Sequence, residues 1–223
     1  SGGIGAETAR RLARDGFAVI VNYAGNAAPA EQVAREIEAA GGKAVVAQAD
    51  VSDPAAVRRL FDSAEAAFGC VDVVVNNAGI MKLANIGDAD DALFDQTLAV
   101  NLKGVFNVLR EAARRLRDGG RIINLSSSVV GLLPPGYGVY AASKAAVETM
   151  SAILAKELAQ LGAQVLNPLA FDTLTVDTGD NAIDGTGIIL NVSFVSFDEN
   201  GTVNYTFSPQ GQVQVRETGV AGI

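Results

Sequence analysis

The segment Tyr140-Ala141-Ala142-Ser143-Lys144 sets a phenol and an ammonium four residues apart. On a helix, that spacing brings both side chains to one face. A phenol of ordinary pKa, about 10, is a poor base at neutral pH, but a neighbouring cation favours the phenolate and brings proton transfer into a usable range. The same two residues also suit an incidental surface pair one turn apart. Two further patterns point to a ligand. Ser1-Gly2-Gly3-Ile4-Gly5 leads into an amphipathic stretch. Glycines there let the backbone approach a pyrophosphate, whose charge is favoured at a helix N-terminus; an ordinary Gly-rich helix start is the alternative. Val75-Asn76-Asn77-Ala78-Gly79 ends a short apolar run. Small residues after a buried strand admit a flat ring where open α/β sheets bind ligands, though they also suit a plain turn.

Composition narrows the chemistry. The chain of 223 residues has no histidine, which removes Ser-His-Asp and Cys-His nucleophile systems and histidine-ligated metal sites; no metal is expected. Acid/base work near neutral pH then falls to a tyrosine, a lysine or a carboxylate. A net charge of −8 without a Lys/Arg cluster disfavours nucleic acid and anionic membrane surfaces, leaving small molecules as the expected partners. No apolar run approaches the ~18 residues of a membrane span, so the 49% hydrophobic content is expected in a core. The lone Cys70 has no intramolecular partner for a disulfide and is expected to be a small buried filler. With no signal peptide at the start, the expected location is cytoplasmic.

These groups need a frame to hold them. From Ser1 to about Val165 the pattern alternates helix and strand with short turns, which predicts a doubly wound α/β layer. Helices are expected at 7–15, 28–40, about 54–68, 88–116 with a break, and 140–161. Strands are expected at 17–22, 43–49, 71–75 and 121–125. Near 164–168 the composition shifts to Thr, Asn, Gly and β-branched residues. Three strands, 188–197, 202–207 and 212–217, then predict a β-rich segment, the first two joined by a turn at Asp198-Glu199-Asn200-Gly201. The expected division is therefore 1–165 and 166–223.

Taken together, Tyr140-x-x-x-Lys144, Asn76-Asn77-Ala78-Gly79, the Gly-rich start and Asp50-Val51 occur in the order and spacing of the short-chain dehydrogenase/reductase family, which the first three quarters of the chain resemble. The resemblance implies a Rossmann-like parallel sheet and hydride transfer between a nicotinamide cofactor and a carbonyl or secondary alcohol. It implies that Tyr140 is the general acid/base and that Lys144 lowers its pKa and holds the nicotinamide ribose. Ser127, chosen over Ser126 and Ser128 because it lies 13 residues before Tyr140, would orient the substrate carbonyl. Asn101 would anchor a proton-relay water. Ser1, Gly2, Gly3 and Ile4 would meet the pyrophosphate, Asp50 and Val51 would flank the adenine, and Asn77, Ala78 and Gly79 would pass beneath its ribose. The second-strand end, Val21-Asn22-Tyr23-Ala24, carries no acidic side chain to exclude a 2′-phosphate, so NADPH is expected, with NADH the alternative. The resemblance also implies a homo-oligomer, dimer or tetramer.

Two departures accompany it. The family's first, central strand would precede Ser1, so the sheet is expected to be truncated there, leaving two rows of backbone groups facing a gap. A tail strand, 188–195 or 213–216, is one expected filler; a β appendage of recombined origin is the other. Beyond Val165 the family's Pro-Gly turn and substrate lid are not matched by Asn167-Pro168-Leu169-Ala170-Phe171. A non-catalytic dinucleotide-binding scaffold is therefore the alternative function.

Overall fold

A computed structural model describes residues 3–158 together with the backbone of three strands, 164–166, 193–197 and 203–206. Ser1 and Gly2, most of the tail and the expected strand at 212–217 lie outside the described residues.

Helix α1 (Gly3–Arg14) leads through the left-handed Gly16 into strand β1 (Ala18–Tyr23). Helix α2 (Ala28–Ala39) and strand β2 (Lys43–Gln48) follow. Helix α3 (Pro54–Phe68) shows local chemistry setting both ends. The Asp53 carboxylate caps it by accepting the Ala55 N–H, Pro54 supplies the fixed φ of a first helical residue, and Gly69 at φ 84° stops it. Strand β3 (Val71–Asn76) comes next. The expected break in 88–116 is a widened π-helical turn, Ala99–Gly104, between α4 (Asp91–Leu98) and α5 (Val105–Arg115). Strand β4 (Leu116–Asn124) begins five residues earlier than expected because Leu116 also pairs with Val71 across an irregularity. A one-turn helix α6 (Val129–Leu132), unforeseen in the sequence, precedes α7 (Gly138–Leu158).

The pairing is parallel throughout this part. Strand β1 runs beside β2, and β3 beside β4, which pairs in turn with β5 (Gln164–Leu166). Helix α1 packs on β1 and α2 on β1 and β2, while α3, α5 and α7 pack in a row, α3 touching β1, β2 and β3, α5 touching β3 and β4, and α7 touching β4 and β5. Two hydrophobic clusters result. One joins Val57, Phe61, Val105, Leu109, Ile122 and Val147; the other joins Ala6, Ala9, Val21, Ala30, Val33 and Ile37.

Between β1 and β3 lies a cavity of about 450 Å³, lined by Ile20, Asn22, Val73 and Val75 and walled by Leu12 and Phe61. The Tyr23 carbonyl accepts from Ala49 and the Asn76 carbonyl from Leu125. By the alternation of a strand, Ile20, Asn22, Val73 and Val75 therefore turn their backbone groups toward the cavity. Among the described residues no strand bridges β1 to β3. Residues 193–195 do not do so. They belong to β6 (Ser193–Phe197), which pairs antiparallel with β7 (Val203–Thr206) in a two-stranded sheet of its own. Residues 188–192 and 213–216 lie outside the described residues. No helix among the described residues is long and apolar enough to cross a membrane.

Candidate active site

Every chemistry-bearing residue singled out in the described part sits at the carboxyl end of a parallel strand or on a helix facing that end. Asn22 and Tyr23 close β1, Asp50 and Val51 follow β2, Asn77 to Gly79 follow β3, and Ser127 follows β4. This edge is where open α/β sheets take ligands, because loops fan outward there and helix N-termini point inward.

The α7 helix brings Tyr140 and Lys144 together. The Lys144 Nζ lies 5.8 Å from the Tyr140 ring centroid. Lys144 is 5% exposed, its ammonium donates to the Leu125 carbonyl at 2.8 Å, and burial pushes its pKa down from the ordinary 10.5. Tyr140 is half-buried, with the Tyr137 ring edge-on 6.5 Å away.

Asn101 ties this helix to the loop after β3. Fully buried in the π-helical turn, its amide accepts from the Ile80 N–H at 2.8 Å and donates to the Ile80 carbonyl at 2.8 Å and to Ser143 Oγ at 3.2 Å. Ser143 donates to the Tyr140 carbonyl at 2.6 Å. The loop passes close to Asn101 and Lys144 at Gly79. A Cβ there would lie 3.4 Å from Asn101 Oδ1 and 3.7 Å from Lys144 Nζ. Gly5 allows a second close approach, since a Cβ there would lie 2.6 Å from Asn77 Nδ2. The start of α1 thus abuts the end of β3, with Gly3 in the left-handed region at φ 52°.

The remaining expected residues stand on separate loops. Asp50 accepts from the Ser52 N–H and hydroxyl, closing a tight turn. Val51 packs against the backbone at Gly104, where a Cβ would come within 2.6 Å of it. Tyr23 packs at the border of the α1/α2 cluster, and Ile4 is exposed. Of the three serines, Ser126 donates its hydroxyl to the Glu148 carboxylate. Ser127 is buried with its Oγ 3.5 Å from the Val129 N–H, and Ser128 starts α6 without a side-chain cap bond.

Sequence reasoning missed three supports. Asn107 on α5 donates to the Val51 and Ser52 carbonyls across more than fifty residues. Glu148 holds Ser126. A buried chain runs from Asn76 to Asn124 to Ser151 under the strand ends. The signal for the first was an asparagine on the buried face of α5 beside Val108 and Leu109; the others left none.

The edge suits a dinucleotide. Glycines at 5 and 79 lie close to Asn77 and to Asn101 and Lys144, Asn22 Oδ1 is buried without a hydrogen-bond partner among the described residues, and no carboxylate closes β1. Among the described residues no cluster of three or more metal-ligating side chains is found.

Comparison with known proteins agrees with this geometry. A family model described as short chain dehydrogenase matches residues 1–179, extending beyond Val165. An Arabidopsis thaliana protein named NADPH-dependent aldehyde reductase-like, chloroplastic, is 48% identical over 176 residues, covering 73% of this chain and 65% of that protein. The chain thus spans a little under two thirds of that relative. A short-chain type dehydrogenase/reductase of Picea abies is 40% identical over 232 aligned positions, covering 92% of this chain and 85% of the other. Among solved structures, a short chain dehydrogenase from Burkholderia cenocepacia in complex with NADP is similar at a TM-score of 0.71 and 41% identity, covering 74% of this chain and 69% of that one.

Proposed function

This chain belongs to the short-chain dehydrogenase family, and on that premise we propose that it transfers a hydride reversibly between NADPH and a carbonyl compound or secondary alcohol, with Tyr140 as the general acid and base. The observation that carries the reading is the Tyr140–Lys144 pair, 5.8 Å from ring centroid to Nζ, beside the glycine-lined edge of β3. NADPH as the cofactor is supported by the acid-free end of β1 and by the names of the Arabidopsis and Burkholderia relatives.

The Gly3 to Gly5 turn and the α1 N-terminus would hold the pyrophosphate. Asp50 and Val51 would flank the adenine, braced by Asn107. Asn77 to Gly79 would underlie the ribose. When bound, NADPH supplies the hydride. In reduction the Tyr140 hydroxyl gives its proton to the carbonyl oxygen as negative charge develops there. The phenolate left behind lies beside the Lys144 ammonium, which stabilises it until solvent returns the proton. One Nζ donor is taken by Leu125; the others are free to hold ribose hydroxyls. Ser127 would donate to the same carbonyl oxygen, since Ser126 is engaged by Glu148. The Asn101 amide is committed to Ile80 and Ser143, so a relay water would rest on the backbone of the widened turn.

A second reading, a dinucleotide-binding scaffold without turnover, is favoured by the cavity that separates β1 from β3. One assay separates the two. NADPH oxidation on a panel of aldehydes and ketones, lowered by about 10²-fold or more in Tyr140→Phe, supports the enzyme; saturable NADPH binding with no turnover on any carbonyl supports the scaffold. A homo-oligomer, dimer or tetramer, is proposed on the exposed Phe106 of α5 and Ile153 of α7, with sedimentation as its test.

A further inference from the structure

Two loops meet above the start of α7. The loop after β3 hooks onto the loop after α6 where the Ala84 N–H donates to the Gly136 carbonyl at 3.0 Å. Ile86 lies against the backbone two residues before Tyr140, so that a Cβ on Gly138 would fall 2.9 Å from its Cγ1. These loops and α6 expose five large apolar side chains: Met81, Leu83, Ile86, Leu132 and Leu133. Singly exposed apolar residues are ordinary, but five on two touching loops form a patch of the kind that marks a ligand surface.

Leu133 makes the patch more telling. It is 72% exposed and sits at φ 49°, ψ 48°, the one non-glycine with positive φ among the described residues. A leucine is strained in that region, where glycine or asparagine would sit easily. An exposed side chain held at the cost of backbone strain points to a role in contact. Of the charged side chains nearby, Lys82 donates to Gln96, Asp88 accepts from Asn85, and Asp90 caps α4.

We infer that the substrate is an uncharged carbonyl compound or secondary alcohol whose apolar body, several carbons long, seats on Leu132, Leu133, Met81, Leu83 and Ile86 while its oxygen faces Tyr140. This inference rests on the oxidoreductase reading above. Its occupant is the substrate because the patch is continuous with the backbone that presents Tyr140.

The test is a series of straight-chain aldehydes, from acetaldehyde to octanal, assayed with NADPH. Each added methylene buried on the patch should raise kcat/KM by about fourfold until the surface is filled. The corresponding 2-oxo acids should turn over less well at every chain length, because an apolar patch offers their carboxylate no replacement for lost water. In Leu133→Gly the gain per methylene should fall while the melting temperature holds or rises, since the strain is relieved. Turnover that is flat along the series overturns the inference and leaves the enzyme reading standing. If no aldehyde turns over, calorimetric binding of the matching alcohols to the protein–NADPH complex decides: affinity that climbs with chain length keeps the apolar site and sinks the enzyme, and affinity that does not climb overturns both.

Discussion

The phenol and the ammonium of α7 respond differently to their surroundings, and each allows a direct test. Tyr140→Phe removes only the ionisable oxygen. Turnover should fall by about 10²–10⁴-fold, the usual worth of a positioned acid/base, with NADPH affinity unchanged in a fluorescence titration. Lys144 titrates below its ordinary range because burial disfavours its charge. Between that lowered pKa and about 10.5 the unfolded chain binds more protons than the folded one, so this group adds stability as pH rises through the window. Lys144→Met removes the titration. The melting temperature of the wild type minus that of the variant should therefore climb as pH rises toward 10.5, and a constant difference would show that Lys144 is not desolvated.

Helix α5 and the π-helical turn before it act as a brace between the strand-end loops. Asn107, 2% exposed, donates to the Val51 and Ser52 carbonyls. In Asn107→Ala those carbonyls lose their partner, which costs about 1–3 kcal/mol. Urea unfolding should register that loss. The Kd for NADPH should rise several-fold with kcat unchanged, because the loop proposed to flank the adenine is loosened while Tyr140 and Lys144 are untouched. At the other end of the same loop, Asp53 caps α3. Asp53→Ala should cost about 1 kcal/mol with no change in cofactor affinity, so the two variants distinguish loop positioning from simple helix stability.

Across the molecule, the feature with the widest consequence is the division of the sheet. The α1/α2 cluster and the α3/α5/α7 cluster are separate, and among the described residues no backbone ladder joins β1 to β3. Cooperative units in proteins follow such boundaries. Native-state hydrogen exchange should therefore find residues 18–48 opening at a lower free energy than β3, β4 and α7. A single opening free energy across both halves would mean that the contacts of α3 with β1 and β2 suffice to couple them. If the proposed cofactor edge is assembled from both halves, saturating NADPH should raise protection in residues 18–48 more than elsewhere.

Much of this was legible in linear order. The spacing of Tyr140 and Lys144, the cap of α3 at Asp53-Pro54 and the ends of β1, β2 and β3 are all written in patterns a few residues long. The reason is that helix periodicity, strand alternation and turn geometry depend on neighbours along the chain. Other features had no local signature. The widening at 99–104, the grip of Asn101 on Ile80 and Ser143, the choice of Ser126 by Glu148, the strained Leu133 and the cavity between β1 and β3 depend on which distant segments touch. Those contacts form only when packing brings the strand ends together, because a buried hydrogen bond or an empty volume is a property of two surfaces at once and belongs to neither stretch of sequence alone.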